Sequence, residues 1–404
     1  MIFVGCDWSR FRHDVVILDQ EGAVRCEFSV LHAAGTLAAL AEQIAALESD
    51  PTQVRVGIEL HDGALLAWLL DQGYTVYGLN PKSAERARDR YRPSGGKDDR
   101  SDAFILADVV RTDRGHLRPI GPASETTQAL HGWVRFRARQ VHERTATAQR
   151  LRALLAEWCP ALSALCNDLN RQWQRDLLQT FPLHAELSAA HGNCLRVFAR
   201  KHRLRSATYE RLLAARSQEP LLIPAGRLPA LRAEILSLVE RLDQLVRSVA
   251  EIEAELHRLV ADHPDAVVFE SLPAHGTATI ATLLAAFGED REGAPSWRAL
   301  AARWGVAPVT VQSGRARHVK RRRACDHTVN QAFLFFALRT AFTPGCWAAD
   351  FYQAKRRNGV DHYAALRCLA QRWVKIIHRL WTDRLPYDEQ IHQTNRQRHT
   401  GIAA

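Results

Sequence analysis

Short β-branched and apolar runs alternate with helical stretches through the first 115 residues of this 404-residue chain. Runs of this kind between turn residues predict strands, and apolar residues three and four apart predict helices. The predicted strands cover residues 2–6, 15–18, 24–28, 54–59 and 75–79, and the predicted helices cover residues 37–47, 64–72 and 101–111. The order β-β-β-α-β-α-β-α therefore predicts a mixed α/β domain over residues 1–115, which opens with an antiparallel meander of three strands.

Four acidic residues of this domain are placed where their side chains can converge. Asp7 follows the first apolar run, and Glu59 ends the run that starts at Val54. Asp99 and Asp102 are three residues apart at the start of a predicted helix, so they share one of its faces. Mg²⁺ prefers oxygen ligands, and two-metal phosphoryl chemistry needs several carboxylates close together. The four acids therefore predict a Mg²⁺-dependent site that acts on nucleic acid.

Each of these acids also has an ordinary structural explanation. Many strands end in an acid for solvation, and Asp98 or Asp99 can cap a helix whose dipole favours acids in its first turn. We prefer Asp99 to Asp98 because of its three-residue spacing from Asp102. An acid after a first strand also begins actin-like ATPases, but residues 8–10 lack the glycine-rich phosphate turn of those proteins.

The composition favours a polyanionic partner. The formal net charge is +10 and the pI is about 9.5, although a protein can also be basic without binding nucleic acid. The eight cysteines form no Cys-x-x-Cys pair, so neither a zinc site nor a disulfide framework is indicated, and reduced thiols fit a cytoplasmic protein. No apolar stretch is long enough to span a bilayer, so we expect no membrane partner.

Residues 125–262 are predicted to be helical almost throughout. Near their end, apolar residues follow alternating steps of three and four: Ile235, Leu238, Leu242, Leu245, Val249, Ile252 and Leu256. This heptad-like seam predicts a coiled coil or a long helical hairpin, and a coiled coil would hold protomers or domains together. An ordinary buried bundle helix explains the same pattern.

Residues 265–385 are predicted to form a third, mostly helical unit, and residues 388–404 a polar, disordered tail. Ser313 lies in a Ser-Gly turn of this unit. A dense basic run follows it: Arg315, Arg317, His318, Lys320, Arg321, Arg322 and Arg323. Cations beside a serine could bind a scissile phosphate and stabilise its developing charge, which makes Ser313 a candidate nucleophile. A turn serine beside a solvated basic loop is the simpler alternative.

The basic run is itself evidence for nucleic-acid binding, because phosphate contacts dominate the affinity for nucleic acid. Lys97 and Arg100, which flank Asp99 in the sequence, are expected to contribute in the same way.

The order of these motifs resembles the DEDD transposases of the insertion sequence one-ten family, relatives of the Piv-type DNA invertases. The resemblance covers residues 1–380 and is carried by Asp7, Glu59, Lys97-x-Asp99-x-x-Asp102-Ala103, the turn Pro273–Gly276, and Gly305-Val306-Ala307-Pro308 followed by Ser313-Gly314. It implies a RuvC-like N-terminal domain, which agrees with the ribonuclease H-like element order, a helical coiled-coil linker, and a C-terminal transposase domain with a serine nucleophile.

The resemblance also implies an RNA partner and a homo-oligomer, a dimer or a tetramer. Members of that family are guided by a structured bridge RNA that pairs with donor and target DNA, and they work as tetramers in which the acids of one protomer and the serine of another build a composite site. By this resemblance Asp7, Glu59, Asp99 and Asp102 correspond to the metal-binding acids, and Ser313 corresponds to the nucleophile. Two alternatives stay open: a RuvC-like nuclease that uses metal-activated water, and a non-catalytic RNA- or DNA-binding protein.

Overall fold

The computed structural model describes residues 1–59, 63–79, 81–91, 99–115, 117, 119–121, 123–313, 316–391 and 394, and for residues 81–83, 90, 91, 99 and 317 it describes the backbone only. These residues belong to two units, each treated by itself. The N-terminal unit comprises residues 1–123 with 290–294, and the C-terminal unit comprises residues 124–289 with 295–404. Within the described ranges, no helix has the length and the apolar character needed to cross a membrane.

A five-stranded mixed sheet forms the centre of the N-terminal unit. Its strands are β1 (Ile2–Trp8), β2 (Arg12–Leu18), β3 (Val24–Leu31), β4 (Val54–Ile58) and β5 (Thr75–Gly78), in the spatial order β3-β2-β1-β4-β5. Strands β1, β2 and β3 pair antiparallel, as the predicted meander requires, whereas β4 runs parallel to both β1 and β5. The predicted α/β character of this region is confirmed.

Four α-helices accompany the sheet in the described part of this unit: α1 (Ala34–Leu47), α2 (Ala64–Asp71), α3 (Pro81–Tyr91) and α4 (Asp99–Asp113). The basic segment from Arg86 to Lys97 contains Pro93-Ser94-Gly95-Gly96, and this composition predicts a mobile loop. The prediction is wrong for residues 86–91, which are helical. Arginine and alanine are strong helix formers and make up four of the six residues 86–91. The turn residues 93–96 that suggested a loop follow the end of α3 and lie outside the described residues.

Helix α4 packs directly against the sheet because two glycines leave room for its backbone. Gly5 of β1 and Gly57 of β4 are partners in the parallel pair. A Cβ atom at Gly5 would lie 1.8 Å from the carbonyl oxygen of Ala103, and one at Gly57 would lie 2.4 Å from the carbonyl oxygen of Leu106. The helix backbone therefore occupies the space that side chains would fill at these two positions.

The C-terminal unit is helical in its described part except for one β-hairpin. Its first helices are α5 (Glu125–Trp158), α6 (Pro160–Leu165), α7 (Gln172–Thr180), α8 (His184–Ala189), α9 (Gly192–Lys201), α10 (Ser206–Ser217) and α11 (Leu228–Ala261). They are followed by α12 (Ala266–Glu270), α13 (Thr277–Phe287), α14 (Trp297–Arg303), the strands β6 (Val309–Ser313) and β7 (Ala316–Lys320), α15 (His327–Ala341), α16 (Trp347–Arg357) and α17 (His362–Asp383). The predicted helical character is confirmed, but the hairpin was not predicted.

The two longest helices, α5 and α11, pack antiparallel to each other. Arg137 of α5 pairs with Glu253 of α11 at 2.5 Å, and Glu143 pairs with Arg241, so residues later in α5 meet residues earlier in α11. All seven residues of the heptad-like seam are buried within the single chain. This arrangement corresponds to the helical-hairpin alternative, and a coiled coil between protomers stays a prediction.

The polar tail predicted from residue 388 begins inside the packed structure. The Glu389 carboxylate accepts hydrogen bonds from the backbone N–H of Trp347 at 2.8 Å and from the hydroxyl of Tyr387 at 2.5 Å. The Tyr387 hydroxyl in turn accepts from the indole N–H of Trp347 at 3.0 Å. Residues 387–389 are therefore fixed against α16, and the later residues 392, 393 and 395–404 lie outside the described ranges.

The substitution Gly5→Ala should destabilise the N-terminal unit. The new Cβ would overlap the backbone oxygen of Ala103 and lie 2.6 Å from the backbone nitrogen of Ala107. These atoms cannot rotate away, so α4 must shift, and overpacking of this kind costs about 1–3 kcal/mol. Equilibrium denaturant unfolding measures the loss.

Gly35→Ala is the matched control for this experiment. Gly35 lies in α1 of the same unit, and a Cβ there would meet nothing within 4 Å. Alanine is the better helix former by roughly 0.5–1 kcal/mol, so the control should be neutral or slightly stabilising. Equal stability of the two variants would contradict the close contact between α4 and β1.

Candidate carboxylate site and basic hairpin

Asp7 and Glu59 occupy neighbouring positions at the same end of the central sheet. The parallel register pairs Cys6 of β1 with Ile58 of β4, so the next residues along the two strands, Asp7 and Glu59, come side by side. Cys6 is buried between charged neighbours: burial first, and then Asp7 and Asp14, raise the pKa of its thiol to about 12. The thiol therefore stays protonated at neutral pH.

The two acids share the face of the sheet that α4 covers. Alternate residues of a strand face the same side, so Asp7 lies on the face of Gly5, and Glu59 follows Gly57 by the same two-residue step. Asp7 was expected just after the first strand. It lies within β1 instead, because the strand continues to Trp8 and pairs with β2 up to that residue.

Helix α4 brings a third acid to this face. Asp102 directly precedes Ala103, whose carbonyl oxygen lies against Gly5. The side chain of Asp102 is only 8% exposed, and Arg88 of α3 approaches its Oδ1 with Nε at 2.7 Å and Nη2 at 2.6 Å. Asp99 begins α4 one turn before Asp102, but its side chain lies outside the described structure.

A fourth acid on this face, Asp14 of β2, was not singled out from the sequence. It is the cross-strand partner of Asp7, and directly opposite residues of an antiparallel pair point to the same side. Asp14 is buried, accepts a hydrogen bond from the hydroxyl of Ser29, and lies 4.0 Å from Arg12. The structure thus places two carboxylates directly opposite each other in the interior of a sheet.

The sequence did contain a signal for Asp14. Alternate residues of a strand face the same side, so Asp14 faces the same side as Val16 and Leu18, both of which are buried. The predicted strand began at Val15, three residues too late, because an acidic residue beside an apolar run is ordinarily assigned to the preceding turn.

The acidic side chains at this face carry oxygen donors, the type of ligand atom that a hard cation prefers. The carboxylates of Asp7, Asp14, Glu59 and Asp102 provide oxygen ligands, which Mg²⁺ and similar ions prefer. Among the described side chains, however, no three histidine, cysteine, aspartate or glutamate residues are grouped closely enough to hold one metal ion. The contact with Arg88 occupies one oxygen of Asp102 in this arrangement.

Ser313 lies at the end of a strand, and the earlier assignment to a flexible turn was wrong. It is the last residue of β6 and pairs with Ala316, the first residue of β7. Gly314 and Arg315 lie between them in the sequence and are outside the described residues. Residues 309–320 alternate around a Ser-Gly centre, and the dense positive charge concealed this strand pattern.

The hairpin is exposed to solvent along most of its length. Ser313 shares a face with Val311, whose cross-strand partner is His318. Arg317 pairs with Gln312 in the register, but its side chain, like Lys97 and Arg315 as a whole, lies outside the described structure.

The remaining predicted cations are mostly accessible. Lys320, Arg321 and Arg323 are exposed at the end of the hairpin, and Arg100 is exposed in the first turn of α4. Arg322 is half-buried, and its Nε–H has no hydrogen-bond partner among the described residues. The structure thus leaves several guanidinium and ammonium groups available for phosphates.

A second cationic surface lies on α14, α16 and α17 of the same unit. Two aromatic rings on it each contact two cations. Lys355 and Arg372 lie 5.6 and 5.7 Å from the ring centroid of Phe351. Arg298 and Lys375 lie 4.8 and 5.8 Å from the ring centroid of Trp297. Cation–π contacts restrict these long side chains while leaving their charge accessible. The contact with Phe351 restricts the side chain of Lys355, which begins the basic last turn of α16, Lys355-Arg356-Arg357.

Comparisons with known proteins identify the family. Residues 4–160 match the transposase family defined by the DEDD transposases of IS110, and residues 266–353 match the transposase IS116/IS110/IS902 family. The "Mini-circle putative transposase for IS117" of Streptomyces coelicolor is 31% identical over 399 residues, which cover 96% of each chain. The chain belongs to the IS110 transposase family.

Two further relatives extend the similarity. The uncharacterized 42 kDa protein of insertion element IS900 from Mycobacterium paratuberculosis is 28% identical over 401 residues, 96% of this chain and 97% of that protein. The uncharacterized 43.6 kDa protein of insertion element IS110 from Streptomyces coelicolor is 26% identical over 324 residues, 80% of this chain and 79% of that protein. The resemblance drawn from the motifs is confirmed, and membership of the family implies DNA as the substrate.

Neutralising Asp14 should stabilise the N-terminal unit when divalent cations are absent. Like charges directly opposite in an antiparallel pair destabilise it, so Asp14→Asn should gain about 0.2–1 kcal/mol while keeping an oxygen that accepts from Ser29. Thermal unfolding in a chelator should show a midpoint raised by roughly 1–5 °C. The control Glu27→Gln neutralises an exposed acid on β3 and should shift the midpoint less. A lowered midpoint for Asp14→Asn would show that repulsion between Asp7 and Asp14 does not limit the stability of the unit.

Proposed function

We propose that this chain is an RNA-guided, Mg²⁺-dependent DNA recombinase that moves its insertion sequence through a serine–DNA intermediate. The observation that carries the proposal is the shared setting of acids from separate segments: Asp7 and Glu59 lie on one face of one sheet, and Asp102 lies on α4, the helix that covers this face and starts at Asp99. The strand order β3-β2-β1-β4-β5 is that of the ribonuclease H fold and supports a RuvC-like assignment. Guidance by a bridge RNA rests on the family resemblance.

The four acids Asp7, Glu59, Asp99 and Asp102 are the proposed holders of the metal. When bound, Mg²⁺ polarises the scissile phosphate and stabilises the leaving oxygen. The Ser313 hydroxyl attacks the phosphorus and loses its proton, the bond to one DNA oxygen breaks, and that oxygen gains a proton. One phosphodiester replaces another, so strand exchange needs no ATP.

The exposed hairpin suits this role for Ser313. A nucleophile for DNA must be reachable by a bulky duplex, and Ser313 is exposed at the end of β6. Lys320, Arg321 and Arg323 follow on the same hairpin and its exit, where they can neutralise backbone phosphates. In this proposal the protein recognises backbone and shape, while RNA pairing supplies the sequence specificity.

Association into a dimer or a tetramer is part of the proposal. The buried seam of α11 is used within the chain, so it does not by itself supply an interface between protomers. Sedimentation equilibrium measures the oligomeric state, and it is done with and without the RNA transcribed from the flank of the element.

A covalent protein–DNA adduct is expected with the wild-type protein, Mg²⁺, candidate donor and target DNA, and RNA from the flank of the element. Ser313→Ala should abolish the adduct on a denaturing gel, because its side chain has no oxygen to attack phosphorus. DNA cut equally by both proteins, with no adduct, would instead identify a nuclease that uses activated water.

Ser296→Ala is the control for this experiment. Ser296 lies in the same unit, and its hydroxyl accepts from the N–H of Ala299 as the N-cap of α14. Its loss should cost about 1 kcal/mol of stability without affecting the adduct. An adduct lost in both variants would point to damaged folding.

Salt dependence of DNA binding tests the phosphate contacts. The logarithm of the DNA-binding constant falls linearly with the logarithm of the salt concentration. Each phosphate contact that is lost should make this slope shallower by about 0.9 for duplex DNA. Lys320→Gln and Lys375→Gln, from the hairpin and the second cationic surface, should each lower the slope, whereas Lys201→Gln at the end of α9 should not. An unchanged slope for Lys320→Gln would remove the hairpin from the DNA interface.

A further inference from the structure

Arg88 lies beside the carboxylate face and was not among the residues predicted from the sequence to form the site. It belongs to α3, and its side chain is 19% exposed, so it is largely withdrawn from solvent. Two of its nitrogens, Nε and Nη2, approach the same atom, Oδ1 of Asp102, at 2.7 and 2.6 Å. Charge-assisted hydrogen bonds of this length are among the strong ones in proteins.

The packing of α3 on α4 fixes the guanidinium in this place. Ala84 and Ala87 are buried, and their small side chains allow the two helices to approach closely. Arg88 lies one turn after Ala84, so it emerges at the edge of the same face, toward α4. Its position therefore depends on helix packing as well as on the charge of Asp102.

The contact differentiates the two oxygens of Asp102. Both donors of Arg88 go to Oδ1, and no described residue donates a hydrogen bond to Oδ2. A carboxylate held through one oxygen has a fixed plane and presents its other oxygen in a fixed direction. Groups that orient metal-ligating side chains in this way contribute strongly to affinity, and their loss typically weakens metal binding about 10–100-fold.

We propose that Arg88 is a positioning residue of the carboxylate site: it holds Oδ1 of Asp102 and so orients Oδ2, the oxygen that would ligate a divalent cation. The inference rests on the proposed function, since it takes Asp102 as a metal ligand. Arg88 touches neither DNA nor the reacting atoms in this role, and it acts only through Asp102. In the alternative role, the guanidinium of Arg88 competes with the metal ion for the carboxylate of Asp102.

Arg111 provides a closely matched control on α4. Its Nε and Nη2 also donate to a single carboxylate oxygen, Oδ1 of Asp108, at 3.0 and 2.6 Å. Asp108 is buried as Asp102 is, but it is not among the proposed metal ligands. Arg111→Gln should therefore lose a similar structural contact without changing the affinity for metal.

The experiment is a titration of the full-length protein with Mn²⁺ as the probe, followed by electron paramagnetic resonance of the free ion. Wild type, Arg88→Gln, Arg88→Lys, Arg111→Gln and Asp102→Ala are compared, and thermal unfolding checks that each is folded. Arg88→Gln should weaken Mn²⁺ binding about 10–100-fold. Arg88→Lys should lie between Arg88→Gln and wild type, because an ammonium retains the charge but lacks the planar fork.

The outcomes separate this inference from the function on which it rests. Unchanged or tighter Mn²⁺ binding by Arg88→Gln, with binding lost in Asp102→Ala, overturns the positioning role, and tighter binding identifies a competing cation. Wild-type protein that shows no Mn²⁺ binding dependent on Asp102 overturns the metal site and, with it, the role of Arg88. If Arg88→Gln does not fold, wild-type affinity in folded Arg88→Lys overturns the positioning role, and a reduced affinity supports it.

Discussion

The contact of α4 with Gly5 and Gly57 is the constraint on which the carboxylate face depends. At both positions the helix backbone lies where a Cβ would be, so the distance between helix and sheet is set by backbone atoms alone. Backbone contacts of this kind vary much less than contacts between flexible side chains. The acids that follow the glycines by two residues, and Asp102 before Ala103, take their spacing from this contact.

A second feature is the concentration of negative charge within a basic protein. The chain carries a formal charge of +10, yet Asp7, Asp14 and Glu59 share one face of its sheet and Asp102 lies on the helix that covers it. Asp7 and Asp14 are direct cross-strand partners. Such an arrangement reduces the stability of the fold in exchange for a strong local affinity for cations, as strained or repulsive groups at functional sites commonly do. Arg88 offsets part of this repulsion from within the N-terminal unit.

The sequence predicted the features that depend on local periodicity, and it missed those that depend on distant partners. The meander and the long helices follow from spacing within each segment, and the family followed from motif order. The position of Asp14 opposite Asp7 depends on β2 pairing with β1, and the approach of Arg88 to Asp102 depends on α3 packing on α4. The hairpin over residues 309–320 was missed for another reason, since its alternating pattern is filled with cations that resemble a solvated loop. The place of Asp99 in the site stays a prediction, because its side chain lies outside the described structure.

The hairpin also bears on how the free protein behaves in solution. A two-stranded sheet has two open edges, whose unpaired N–H and C=O groups can template strand addition by another chain. Val311 and Val319 are exposed on this hairpin, which increases that hazard. Lysine and arginine at such edges keep like hairpins apart by repulsion, and Lys320 and Arg321 stand at the end of β7. The cations proposed to bind phosphates therefore also protect the unbound protein from aggregation, and this protection diminishes as their charge is removed.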